Sequence, residues 1–245
     1  MNFSDMHIHL QDYKTNCATD IISAAVKIGV NRFVCAATSE KDWATVRDFA
    51  KDKKIVPAFG IHPWYVGSIE QDWEQRLKKI LEQNPQALVG ECGLDGLKPD
   101  FELQKEVFDV HRRLAKELNR PLIVHAVKAV EALNCILSDM PPRFMIHSFN
   151  GRSEHLRPIV QNGGYVSFSA SILKNREGQK IIQNMPADKM LLETDGPYQG
   201  PIRGEEQTPM FLPELLAKIA EWKNGDKEEL SAQIEANAKE FIDGK

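Results

Sequence analysis

Short apolar runs alternate with helix-patterned segments along the whole chain, and that alternation limits the fold more than any other feature. The runs are Phe3–Leu10, Arg32–Thr38, Ile55–Gly60, Ala87–Gly90, Pro121–Val124, Arg143–Ile146, Tyr165–Ser169 and Met190–Leu192. Apolar residues recur at helical spacing between them: Ile21, Ile22, Ala25 and Val26 in one segment, Leu103, Val107, Val110, Leu114 and Leu118 in another. Helices are expected near Asp20–Gly29, Lys41–Asp52, Asp72–Gln83, Phe101–Asn119, Ala129–Met140, Glu154–Asn162 and Gly178–Asn184, with two more at Pro209–Lys223 and Lys227–Phe241. Strands alternating with helices must lie parallel, joined by right-handed crossovers. Eight such units in 245 residues close most simply into a (β/α)8 TIM barrel, one domain over residues 1–245. An open doubly wound sheet is the competing architecture. It lacks support, because no G-x-G-x-x-G follows the first strand and no P-loop is present.

The polar residues fall where a barrel keeps its chemistry. His7 and His9 share one face of the first strand, since alternate side chains point the same way. Glu91, His125, His147 and Asp195 follow strands four, five, six and eight. All six lie at carboxyl ends of strands, which converge on one rim. Ionisable groups closing apolar strands need partners, and a divalent cation satisfies several at once. Six donors exceed one tetrahedral ion. Two ions bridged by Glu91 and a water use them all, an arrangement suited to in-line displacement at phosphorus. Imidazole and carboxylate ligands admit zinc, manganese, iron, nickel or magnesium.

The formal net charge of −4 gives no global attraction for nucleic acid, so a strand must be gripped locally. Candidate cations on the rim loops are Lys14, Lys98, Lys128, Arg152, Lys174, Arg176 and Arg203. Tyr13, Trp64, Tyr65, Phe149 and Tyr198 interleave with them. Cations plus stacking rings suit sequence-tolerant single-strand binding. Cys17, Cys35, Cys92 and Cys135 form no C-x-x-C pair and read as reduced thiols. No leader or membrane-spanning run is visible, so a cytoplasmic location is expected.

The motifs together resemble the TatD-type metal-dependent hydrolases of the amidohydrolase superfamily. They are Asp5-Met6-His7-Ile8-His9, Gly60-Ile61-His62-Pro63, Gly90-Glu91-Cys92-Gly93-Leu94-Asp95, Pro121-Leu122-Ile123-Val124-His125, His147-Ser148-Phe149-Asn150-Gly151 and Leu192-Glu193-Thr194-Asp195-Gly196-Pro197. They occur in family order across almost the whole chain, and Gln104 and Asn237 also fit. The resemblance implies metal ligation by His7, His9, Glu91, His125, His147 and Asp195. It further implies phosphodiester hydrolysis with 3′-end exonuclease action on DNA. The wider superfamily often bridges its metals with a carbamylated lysine on strand four, where this chain has Glu91. Two departures stand out. Ala126-Val127 replaces the usual Ser-Arg, which removes a cation suited to contacting phosphate, and Gly96 replaces an aromatic residue.

The mechanism expected is attack by a metal-activated water. Asp195 orients it and takes its proton, while Glu91 bridges. His62 binds phosphate or assists the leaving group, and Asp5 holds a ligand histidine from behind. Trp64, Tyr65 and Arg152 contact the strand. The expected partner is a DNA end or a small phosphodiester, acted on by a monomer that does not bind membranes. Hydrolysis of a small amide, lactone or ester is the alternative. A non-enzymatic binding protein with structural metals is a third reading, disfavoured by the intact donor set.

Overall fold

The computed structural model describes residues 1–15, 17–202 and 204–244. Eight parallel strands run in the order of the chain: β1 (Phe3–Ile8), β2 (Val30–Ala36), β3 (Ile55–Phe59), β4 (Leu88–Asp95), β5 (Leu122–Val127), β6 (Phe144–Ile146), β7 (Tyr165–Phe168) and β8 (Met190–Leu192). Among the described residues nine α-helices lie between and after them: α1 (Ala18–Lys27), α2 (Glu40–Phe49), α3 (Trp73–Gln83), α4 (Phe101–Glu117), α5 (Val130–Asn134), α6 (Leu156–Gln161), α7 (Gly178–Asn184), α8 (Leu212–Lys223) and α9 (Lys227–Asp243). The sheet nearly closes. Ile8 bridges Gly196 in parallel, the Asp195 N–H donates to the His7 carbonyl at 2.9 Å, and the His9 N–H donates to the Gly196 carbonyl at 2.7 Å. The result is the (β/α)8 TIM barrel expected from the alternation.

Met6, Val34, Ala58, Leu88, Ile123, Met145 and Leu191 form one buried cluster with Ala238 and Phe241 of α9. With Ala36 and Tyr165 the cluster draws on all eight strands, and these side chains are the filling of the barrel, which is therefore packed and not a pore. Asn237 of α9 donates to the carbonyls of Ala187 and Met190 at 2.7 and 2.8 Å, tying the last helix to the start of β8. A second, larger buried cluster lies between the helices and the outer face of the sheet.

The boundaries differ where backbone chemistry intervenes. Strand four was expected to stop at Gly90, but β4 runs on to Asp95, and Glu91 lies within it. The β4/β5 register shifts between Val89 and Cys92, and the β1/β2 register shifts between Asp5 and Ile8. Such irregularities re-aim side chains, and here they fall at Glu91 and His7. Gly90, with φ +131°, makes the first possible: a Cβ there would come within 2.7 Å of the Ile123 carbonyl. The Glu154–Asn162 helix becomes a 3₁₀ turn, Ser153–His155, followed by α6. Pro158 has no N–H to donate, so it must sit in the first helical turn. The same rule, applied to Pro213, splits Pro209–Phe211 from α8. The Ala129–Met140 segment is α5 plus a 3₁₀ turn at Leu137–Asp139.

Candidate metal centre

All six expected donors meet at the carboxyl rim, and all are buried. Glu91 stands among them with its two oxygens facing different groups. Oε2 lies 3.2 Å from His7 Nε2 and 3.5 Å from His9 Nε2. Oε1 lies 2.8 Å from His125 Nδ1, 2.8 Å from His147 Nε2 and 3.2 Å from His62 Nε2. Asp195 Oδ1 joins the first group, 3.3 Å from His9 Nε2 and 3.7 Å from His7 Nε2. Asp195 itself has φ +54°, a conformation that aspartate tolerates better than most residues.

Ring nitrogens crowd one another. His7 Nε2 and His9 Nε2 are 3.1 Å apart, and His125 Nδ1 and His147 Nε2 are 3.3 Å apart. Ligands about 2.0–2.1 Å from a tetrahedral ion stand about 3.3 Å from each other. The spacing is thus that of donors arranged around a cation. His7 Nδ1 is buried without a hydrogen-bond partner, and His125 Nε2 faces Asp95 Oδ2 at 3.6 Å.

The partners of the other ring nitrogens sort the histidines by tautomer. His9 Nδ1 is 2.9 Å from the Ala36 carbonyl, which can only accept, so its Nε2 lone pair faces the centre. His147 Nδ1 is 3.3 Å from Glu193 Oε1, leaving its Nε2 in the same state. Outer carboxylates and carbonyls of this kind orient metal-binding imidazoles. His62 is the reverse. Its Nδ1 accepts the Trp64 N–H at 3.1 Å, so neutral His62 carries its proton on Nε2 and offers a donor to the centre. His62, Glu91 and His125 lie close enough to hold an ion as a group, but that tautomer suits an oxygen of a ligand better than a cation.

Electrostatics follow the same division. Burial alone would raise the Glu91 carboxyl, but His147, His62 and His7 with the His125 hydrogen bond hold it well below the usual range. Burial opposes charge on His9, yet Asp195 and Glu91 push its pKa up to about 9. His147 is also raised well above normal: Glu91 and Glu193 outweigh its burial. Burial and the neighbouring His147 lower His7. Burial lowers His62 despite the nearby Glu91.

Asp5 changes role. It was expected to hold a ligand imidazole, but it touches only the His7 main-chain N–H, at 3.4 Å. Its carboxylate accepts from the Thr194 N–H at 2.9 Å and the Thr194 hydroxyl at 2.5 Å, fixing the backbone before Asp195. Burial raises its pKa to about 7, against the pull of the Thr194 hydrogen bonds. Three residues quoted only inside motifs, or not at all, join the site. Glu193 is fully buried and accepts from the Ser167 hydroxyl as well as facing His147. Gln199 donates to Asp195 Oδ2 and accepts from Ser148 and Ser169. Asp95 accepts the Trp64 indole N–H at 2.6 Å.

Around the rim, Trp64 and Tyr65 are 55% and 41% exposed beside His62. Lys98 covers one face of the Trp64 ring, 4.1 Å from its centroid. Tyr198 is also exposed, its hydroxyl 3.0 Å from Asp12. Two expected stacking rings are not available: Phe149 is buried against Phe168, and Tyr13 is turned inward to the Gln207 carbonyl. Arg152 is exposed next to Glu154. Lys174 donates to the Gly200 carbonyl. Arg203 lies outside the described residues. No helix among the described residues is long and apolar enough to cross a membrane.

Known proteins match this chain over nearly its full length. The "3'-5' ssDNA/RNA exonuclease TatD" of Pantoea ananatis (strain LMG 20103) is 28% identical over 238 residues, covering 91% of this chain and 92% of the relative. The protein of that name from Escherichia coli (strain K12) is 28% identical over 236 residues, 90% of each chain. A crystal structure of a TatD homolog from Escherichia coli K12 superposes with a TM-score of 0.91 at 25% identity, covering 98% of both chains. A TatD family hydrolase from Entamoeba histolytica shares the fold, with a TM-score of 0.88 at 17% identity and 98% of both chains covered. The model of the TatD related DNase family matches residues 4–243, so this chain belongs to that family of metal-dependent hydrolases.

Proposed function

We propose that this protein is a two-ion phosphodiesterase that removes nucleotides from the 3′ end of single-stranded nucleic acid. The observation that carries it is the division of Glu91, one oxygen toward His7 and His9 and the other toward His125 and His147. A carboxylate so placed can serve two cations at once. In this reading His7, His9 and Asp195 hold one ion and His125 and His147 the other, with Glu91 between. Zinc, manganese and magnesium are the candidate ions. The crowded nitrogens and the imidazole lone pairs fit that donor set. When bound, such ions make a water nucleophilic at neutral pH and neutralise charge on the phosphate.

The chain's own groups do the rest. Gln199 donates to Asp195 Oδ2 and sets the angle of the carboxylate, so that Asp195 would hold its ion through Oδ1 and take the proton of the attacking water on a lone pair that remains. The His62 Nε2–H donates to a phosphate oxygen or to the departing hydroxyl. Trp64 is held by Asp95 and Lys98 with one ring face open, and it stacks on a base near the strand end. Tyr65 extends that surface. Arg152 adds a cation at the edge of the rim, where Val127 leaves none.

The test is digestion of 3′-labelled single-stranded DNA and RNA by metal-replete protein, beside a small chromogenic phosphodiester. Stepwise loss of 3′ nucleotides is expected, falling at least a thousandfold in Glu91→Ala and Asp195→Ala. Trp64→Ala is expected to slow oligonucleotide digestion about tenfold and spare the small ester. Intact oligonucleotides beside active metal-loaded protein on amides or lactones would overturn the nuclease reading. Equal losses on both phosphodiesters would remove the stacking role.

A further inference from the structure

The opposite end of the barrel carries a second polar cleft. It occupies about 520 Å³ among the amino ends of β2 to β6 and the last turn of α9. Arg32, Lys53, Arg120 and Arg143 line it, with Asp243 as the one carboxylate. Elsewhere the cations of this acidic chain tend to pair: Arg76 with Glu40, Lys78 with Glu117, and Arg112 with Asp109 and Asp139. Among the described residues none of the four cleft cations forms an ion pair. Arg120 is half-buried, and among the described residues its guanidinium makes one hydrogen bond, to the Ala87 carbonyl at a long 3.5 Å. Arg143 spends two nitrogens on the carbonyls of Phe241, Ile242 and Asn119, which fixes it against α9 and α4. Burial and the charge of Arg143 both work against a proton on Arg120. Arg32 has Glu235 within electrostatic reach, so the charge without a carboxylate partner centres on Arg120, Arg143 and Lys53.

Leaving a half-buried guanidinium unpaired beside a second one costs free energy that an anion would recover. Guanidinium groups favour oxyanions through paired N–H donors. The volume falls in the range of small-ligand sites and exceeds what one phosphate fills. We propose that this cleft binds a compact oligophosphate, two or more linked phosphate groups, on the face of the barrel opposite the metal centre. Such a ligand could be inorganic or the phosphate tail of a nucleotide.

Hydrogen exchange locates the binding without reference to turnover. Metal-loaded full-length protein is exposed to inorganic triphosphate, and separately to a nucleoside triphosphate, at moderate salt. Protection is expected in the segments 53–57, 118–122 and 142–144. Arg120→Gln and Lys53→Gln should each weaken that protection about tenfold in ligand concentration while leaving any protection at 195–200 unchanged. Lys53 is exposed, so its variant keeps the test valid if Arg120→Gln folds poorly. Equal response to both ligands assigns recognition to the phosphates alone, and a stronger response to the nucleoside form assigns it to a nucleotide tail. Protection confined to the metal-centre rim, or unaltered in both variants, overturns the site.

Discussion

His147 presents Nε2 to Glu91 because its other nitrogen donates to Glu193, and Glu193 is itself held by the Ser167 hydroxyl. The carboxylate therefore fixes both the tautomer and the ring angle, and its charge makes the imidazole a better donor. Glu193→Gln keeps the shape and the hydrogen bond to one side while removing that charge. Metal affinity, measured by competition with a chelator at pH 7.5, is expected to fall tenfold to a hundredfold with the fold intact. Unchanged affinity would reduce Glu193 to a buried neighbour. The sequence shows Glu193 only as part of Glu-Thr-Asp-Gly-Pro. Nothing in the one-dimensional pattern separates a glutamate that supports a histidine from one that forms a turn. The separation comes from β6 and β8 meeting across β7, a long-range fact. Asp5 departs in the opposite sense: alternation predicts that it backs a ligand imidazole, and its carboxylate instead accepts from Thr194.

At the scale of elements, helix α4 reaches the site indirectly. His111 stacks on Trp73, holds the Val107 carbonyl through Nδ1–H, and accepts the Ile61 N–H on Nε2 at 3.0 Å. It thereby fixes the turn that carries His62. Full burial lowers its pKa to about 4. The fold needs the neutral ring, so its contribution is complete above the unfolded value near 6.5 and declines as pH falls toward 4. The unfolded chain binds the extra proton in that window, and the loss is about 1 kcal/mol by pH 5.5. Urea unfolding of wild type and His111→Gln with chelator present cancels the metal-centre titrations in the difference. The stability gap between them should narrow by about that amount from pH 7.5 to 5.5, and parallel curves would refute the assignment. Most elements were legible, since apolar runs and helical stripes are local. The kinks that place His7 and Glu91 were not, because a register shift depends on the neighbouring strand. The inward turn of Phe149 was hidden likewise, for a ring after a strand end has the same local pattern whether it faces Phe168 or solvent.

Over the whole molecule, closure of the barrel brings β1, β4, β5, β6 and β8 to one rim, and an ion bound among their side chains would tie those strands together from within. Without it the carboxylates must be balanced by protons. His9, near a pKa of about 9, and His147, well above normal, carry them at neutral pH. An ion entering the site must displace those protons, because only neutral imidazole binds metal. Affinity should therefore rise with pH up to about 9, releasing about one proton per filled site and about two when both sites fill. Stabilisation by a fixed excess of zinc or manganese follows RT ln(1 + [M]/Kd), so the upward shift in Tm on metal addition should grow from pH 6.5 to 8.5. Calorimetric titration in buffers of different ionisation enthalpy counts the protons directly. A count near zero, with a Tm shift independent of pH, would mean that His9 and His147 are already neutral and that the carboxylates are balanced by some other charge. A count of one or two, lost when Glu91→Gln removes the central carboxylate, would tie proton, metal and barrel closure to one residue in the middle of β4.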